Sequence, residues 1–147
     1  MGDSRVIDRR ILALIPHRPP FLWVDTIISL SEKVIETRAT FAEDLAVFQG
    51  HYPGNPLLPG VLLCEAVYQS GALLLAGSFE EQNDTRIPVL TRITDTRFKR
   101  RVLPGETVDI EVTLIDSISS VSVLRGKARV GQELALKTEF YCALIEP

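Results

Sequence analysis

The sequence predicts an α+β fold, a curved antiparallel sheet wrapped around one long central helix, from three observations. Residues 61–76 are apolar nearly all round, with Leu62, Leu63, Val67, Leu73, Leu74 and Leu75. They include few β-branched residues and run too long for an ordinary strand, and a helix that is hydrophobic on every face is a buried one. Residues 107–116 alternate, with Val108, Ile110, Val112 and Leu114 on one face and Asp109, Glu111 and Thr113 on the other. That is the period of a half-buried strand. Finally, the chain after the helix reads as strands separated by short turns, and strands so joined are antiparallel.

The elements follow in order. Ile7, Ile11, Leu14 and Ile15 recur at helical spacing between Ser4 and Pro16, predicting a short N-terminal helix. Pro16, Pro19 and Pro20 force an extended or turning segment after it. Residues 24–30 and 34–41 read as two strands joined at Ser31-Glu32, and 42–48 as a single helical turn. Residues 49–60 are rich in Gly and Pro and form a loop, which carries His51. The buried helix follows and is expected to end at Gly77, with a polar loop over 78–86. Four strands are then expected at 87–98, 107–116, 118–130 and 134–145. Pro104-Gly105 and Gly131-Gln132 mark turns between them, and Leu134, Leu136, Phe140, Cys142 and Leu144 share a face of the last.

Composition narrows the function. A chain of 147 residues fits one domain over its whole length, 1–147, and 46% hydrophobic residues call for a packed core. The net charge of −3 and a pI of about 5.4 argue against nucleic acid as the main partner. The apolar runs fall short of the roughly 18–20 residues that a membrane span requires. The N-terminus has charged residues at Asp3, Arg5, Asp8, Arg9 and Arg10 instead of a signal peptide's apolar stretch. With two cysteines, Cys64 and Cys142, in no repeated spacing, a reduced, cytoplasmic setting is expected.

The strongest anomaly is Glu65, a carboxylate in the middle of a buried helix. Left unpaired, such a group is costly. Gln69, one turn on, shares its face. From the helix alone, a structural Glu satisfied by hydrogen bonds is as good a reading as a reacting one. The preceding loop tips the balance. His51 lies in Gly50-His51-Tyr52-Pro53, and Pro53, Pro56 and Pro59 stiffen the path to the helix. Fixed placement is what general acid–base catalysis needs. Gly60 opens the helix; its backbone N–H has no partner within the helix, and its missing Cβ lets a substrate carbonyl approach. A base, an acid and a polarising donor close together suffice for elimination next to a carbonyl.

The run Phe48-Gln49-Gly50-His51-Tyr52-Pro53-Gly54-Asn55-Pro56-Leu57-Leu58-Pro59-Gly60-Val61-Leu62, followed by Glu65-Ala66, resembles the signature of bacterial 3-hydroxyacyl-acyl-carrier-protein dehydratases of the FabZ type, which have the hotdog fold. Two further stretches resemble that family's flanking motifs. They are Ile15-Pro16-His17-Arg18 with Pro20-Phe21-Leu22 and Val24-Asp25, and Arg97-Phe98-Lys99-Arg100 with Val102 and Pro104-Gly105-Glu106. The resemblance implies a lyase of type II fatty-acid synthesis or a related pathway that turns a (3R)-3-hydroxyacyl chain on acyl carrier protein into the trans-2-enoyl form. It implies His51 as the base for the α-proton and Glu65 as the acid for the departing hydroxyl. Gly60, with Val61 beside it, is implied as the donor to the thioester carbonyl, and Gln69 as the support of the acid. It also implies a homodimer, or three such dimers together, with each site drawing His51 from one subunit and Glu65 from the other. No cofactor and no metal are implied. Trp23, Tyr68, Arg101 and Thr94 depart from the residues usual in the family.

Other candidates weigh less. His17 reads as a packing residue, since buried histidines are commonly hydrogen-bonded in place. Cys64 points about 100° away from Glu65 around the helix and reads as an inert core thiol. His17, His51, Cys64 and Cys142 show no metal-ligand spacing. Arg97, Lys99, Arg100 and Arg101 are the one basic cluster of an acidic chain. Alone they read as a solvated strand end; acyl carrier proteins are acidic, so given the resemblance the cluster is equally a candidate docking patch for at least one of its residues. Two other classes remain, a hotdog acyl thioesterase and a non-catalytic acyl-binding protein. The Gly50-His51-Tyr52-Pro53 motif counts against the first, and the presence of both His51 and Glu65 counts against the second.

Overall fold

The computed structural model describes residues 4–81 and 83–147. The N-terminal helix α1 is confined to Arg9–Leu14, capped by the Asp8 carboxylate, which accepts from the Arg10 N–H. Then come β1 (Thr26–Leu30), β2 (Val34–Thr40), the single turn α2 (Val47–Gly50), α3 (Gly60–Glu81), β3 (Ile87–Phe98), β4 (Thr107–Ile118), β5 (Val121–Val130) and β6 (Glu133–Ile145). The six strands form one antiparallel sheet in the order β1-β2-β4-β5-β6-β3, and α3 packs against it. This is the hotdog arrangement that the sequence led us to expect.

Three details differ from the sequence expectation. First, α3 does not end at Gly77 but runs on to Glu81. One glycine costs a helix only about 1 kcal/mol, and here it gives room to the Leu30 side chain, whose Cδ2 would lie 3.1 Å from an added Cβ. Second, Ile118 completes β4, and the turn falls at Ser119-Ser120, where Ser119 has a φ of +58°. Third, Pro104-Gly105 does not fold β3 and β4 into a hairpin. β3 pairs with β6 at one edge of the sheet, while β4 pairs with β2 and β5. Residues 99–106 therefore carry the chain across the end of the sheet, tied down by Lys99 N–H to Ala135 O (2.7 Å) and Gly105 N–H to Phe41 O (2.6 Å).

The core lies between α3 and the concave face of the sheet, where Ile35, Ala39, Val108, Ile110, Val112, Leu124, Ala128, Leu136 and Phe140 are buried. Among its polar groups, Thr37 Oγ1 and Ser70 Oγ are 2.7 Å apart and Ser70 also donates to the Ala66 carbonyl, while the Trp23 indole N–H is buried with no partner among the described residues. Gly126 is required, because an added Cβ there would collide with Val67. Tyr68 packs on Phe140 and reaches Thr138, and burial pushes its phenol up to about 12. The stretch Gly60–Ser78 is long and apolar enough to cross a membrane by length and composition, which the sequence reading had not credited, but 61% of that window is buried inside the fold. Its apolarity is that of a core helix.

Candidate active site

His51 follows the single turn of α2, with its own N–H bonded to the Val47 carbonyl. The loop after it is pinned by Asn55 N–H to Tyr52 O (2.9 Å) and by Leu58 N–H to Val102 O (2.8 Å). The imidazole is held from two sides. Tyr52 meets it edge-on, with ring centroids 4.7 Å apart, and Nδ1 lies 2.7 Å from the Leu57 carbonyl oxygen. A carbonyl only accepts, so Nδ1 carries the hydrogen and Nε2 is left with its lone pair. The backbone thus fixes the tautomer that a general base needs.

Gly60 is the first residue of α3, and Pro59 O receives the N–H groups of Leu62 and Leu63. The N–H groups of Gly60 and Val61 have no acceptor within the helix and none elsewhere among the described residues. Phe98 covers Gly60 so closely that an added Cβ would lie 2.8 Å from its ring. Gly60 lines a groove with Leu57, Leu58, Phe98, Lys99 and Arg101. The first turn of α3, the carbonyl that orients His51 and part of the basic cluster therefore share one surface.

Glu65 keeps 23% of its side chain exposed, so it is half-buried and not enclosed as the sequence suggested. Its Oε1 accepts from Gln69 Nε2 at 3.2 Å. Gln69 is itself buried, and its orientation is fixed by the chain. The Trp23 N–H donates to Gln69 Oε1 (2.9 Å), and Gln69 Nε2 donates to the Phe21 carbonyl (2.8 Å). The amide cannot flip without breaking both bonds, so its NH2 group stays turned to Glu65. This role was expected for Gln69; the part played by residues 21–23 in setting it was not legible in sequence.

His17, read as a packing residue, stands beside the acid instead: its Nε2 is 3.9 Å from Glu65 Oε1. A cleft of about 300 Å³ starts at His17 and runs past Ala72 and Ala76 on the same face of α3 to Arg86 and Pro88. The only sign of this in the sequence was the Ile15-Pro16-His17-Arg18 motif. Cys64 is buried, and burial raises its thiol, which suits a core residue and not a nucleophile.

The basic cluster divides. Arg100 is held by Glu106 in a two-pronged pair (2.8 and 2.9 Å) and by Glu133 (3.0 Å). Those carboxylates raise its guanidinium, and Arg100 also holds Glu106 well below the usual carboxylate range. Its charge is thus engaged within the chain, on the 99–106 crossing. Arg97, Lys99 and Arg101 are exposed. Among the described residues, no hydrogen bond or ion pair joins His51 to Glu65.

A family model described as a FabA-like domain matches residues 15–139. The chain belongs to the FabA-like family. Proteins named 3-hydroxyacyl-[acyl-carrier-protein] dehydratase FabZ share 37% identity with it in Symbiobacterium thermophilum, over 92% of this chain and 94% of that protein. The Proteus mirabilis protein of the same name shares 36%, over 97% of both chains. Among solved structures, the dehydratase heterocomplex ApeI:P from Xenorhabdus doucetiae superposes with a TM-score of 0.79 at 16% identity, over 92% of this chain and 91% of that one. At that identity the likeness speaks for the fold. The Ile15-Pro16-His17-Arg18 motif opens the matched FabA-like span, and His51, Gly60, Glu65 and Gln69 lie well inside it.

Proposed function

We infer that the protein is a 3-hydroxyacyl-acyl-carrier-protein dehydratase of fatty-acid synthesis. Its FabZ-named relatives over nearly full length support this, and the observation that carries it is the fixed tautomer of His51 together with the unpaired N–H groups that open α3. The thioester oxygen sits on the N–H groups of Gly60 and Val61, which stabilise the charge that develops there as the α-proton leaves. His51 Nε2 takes that proton from C2. Glu65 gives its proton to the hydroxyl on C3, and the C3–O bond breaks with release of water as C2=C3 forms. Purified protein given a 3-hydroxyacyl-acyl carrier protein should yield the enoyl thioester, seen by its ultraviolet absorbance, with the thioester intact. Release of free thiol would mark a thioesterase instead, and binding without turnover an acyl-binding protein.

The working unit of this reading is a pair of chains in the cytoplasm. One chain places Gly60 and Leu57, whose carbonyl holds His51, at one groove, and sets Glu65 with Gln69 beside His17, which lines another cleft. Its edge strand β3 exposes Ile87, Val89, Leu90, Ile93 and Phe98, a row of apolar side chains beside unpaired backbone groups that a second copy of the strand would cover. Across such a pairing, His51 of one subunit meets Glu65 of the other; three such pairs would make the larger assembly.

Lys99, Arg101 and Arg97 form the docking surface for the acidic carrier in this reading. The double variant Lys99→Glu/Arg101→Glu should lose activity on carrier-bound substrate by roughly tenfold or more at low salt, while activity on a small soluble thioester is kept. Added salt should reduce the unmodified enzyme in the same selective way. Equal losses on both substrates would reject a docking role.

A further inference from the structure

We propose that His17 is a positioning residue for Glu65: together with Gln69 it holds one carboxyl oxygen, Oε1, so that the other, Oε2, carries the proton delivered to the substrate. The proposal rests on the dehydratase reading above and adds to it the residue that selects the reacting oxygen.

The two nitrogens that face the carboxyl both address Oε1, Gln69 Nε2 at 3.2 Å and His17 Nε2 at 3.9 Å. Among the described residues Oε2 has no partner. Gln69 cannot turn away, because the backbone of Trp23 and Phe21 occupies both ends of its amide. His17 is held with comparable firmness. The Arg18 guanidinium bonds the carbonyls of Leu12, Ile15 and His17 itself, and Ile15 is buried in the core. The ring thus arrives beside Glu65 on a braced segment.

The tautomer follows from burial. His17 Nδ1 is buried and has no hydrogen-bond partner. A neutral imidazole carries one hydrogen, and a buried N–H with no acceptor is worse than a bare nitrogen there. The hydrogen therefore belongs on Nε2, on the side of Glu65. At 3.9 Å the contact is longer than a hydrogen bond. Catalytic contacts in the absence of substrate are often long and tighten when it binds. With Oε1 occupied from two directions, an acidic proton on Oε1 would displace a donor, whereas a proton on Oε2 displaces nothing. Glu65 then presents its acid at a fixed atom, which is where an error of about 1 Å can cost a hundredfold in rate.

The test compares His17→Phe, which keeps the ring's bulk without a donor, with His17→Gln, which restores an N–H. In His17→Phe, kcat should fall by ~10- to 100-fold with KM nearly unchanged, and His17→Gln should recover most of it. A second readout needs no turnover. The infrared C=O stretch of protonated Glu65, assigned by its loss in Glu65→Gln, should move to higher frequency in His17→Phe because Oε1 has lost a donor, and should return in His17→Gln. Should Phe prevent folding, His17→Ala makes the same comparison without added bulk. An unshifted band overturns the proposal whatever happens to turnover, and so does a shifted band with wild-type kcat. A wild-type protein inactive on every hydroxyacyl thioester would instead overturn the dehydratase reading, and the infrared comparison would still decide the placement of the Glu65 proton.

Discussion

His51→Ala should abolish dehydration while leaving the protein folded. Loss of a positioned general base typically costs about a hundred- to ten-thousand-fold in rate. The structural cost is small by comparison. Among the described residues the ring makes one hydrogen bond, to the Leu57 carbonyl, and one edge contact with Tyr52, and a single neutral hydrogen bond is worth about 1 kcal/mol net. The loop keeps its backbone bonds at Asn55 and Leu58, so Gly60 should still be presented correctly. The check is kcat/KM on a hydroxyacyl thioester together with a thermal melt. A folded His51→Ala protein with near-normal turnover would remove His51 from the mechanism and leave the unpaired N–H groups of Gly60 and Val61 to be explained in another way.

That prediction draws on residues that sequence alone could single out, and the reason is local. Whether His51 stands in a stiff loop, whether Gly60 opens a helix and whether Gln69 shares a face with Glu65 are all settled within about twenty residues of chain. The buried nature of α3 was legible for the same reason: leucines on every side of a helix leave no face for water. The strands were legible as segments too, because alternation in β4 is a property of β4 alone.

What escaped was long-range. Nothing in Pro104-Gly105 says that β4 will pair with β2 in place of β3; that appears only in the folded register from Val34–Thr113 to Thr40–Thr107, which sets Arg38 opposite Asp109. The fate of Arg100 depends on Glu106, six residues on, and on Glu133, which the fold brings from β6. A positive cluster in sequence was thus partly neutralised by partners the cluster did not reveal. His17 is the sharpest case. Forty-eight residues separate it from Glu65, and only the packing of residues 15–23 against α3 makes them neighbours. Gly77 erred in the other direction: a helix stop by propensity became a contact point for Leu30, because tertiary packing outweighs about 1 kcal/mol of local preference.

Among the described residues nothing joins His51 to Glu65 within one chain, and a site shared between two chains predicts the second large effect, a recovery of activity on mixing two inactive proteins. His51→Ala and Glu65→Ala chains should each be folded and nearly inactive. When they are co-expressed and pair at random, about half of the dimers are mixed, and each mixed dimer holds one site with both defects and one with neither. About a quarter of wild-type activity should therefore return. The mixed species is isolated through a different affinity tag on each chain, and there the expected value rises to about half, one good site of two. If both residues of a site came from the same chain, every site in every pairing would be defective and the isolated mixed dimer would stay inactive. Such inactivity would reject the shared site without touching the roles of His51 and Glu65. A stronger disproof would come from the edge strand: Ile93→Lys, placed on the exposed apolar row of β3, should yield monomers inactive on every substrate. Fully active monomers would mean that one chain closes the site by itself.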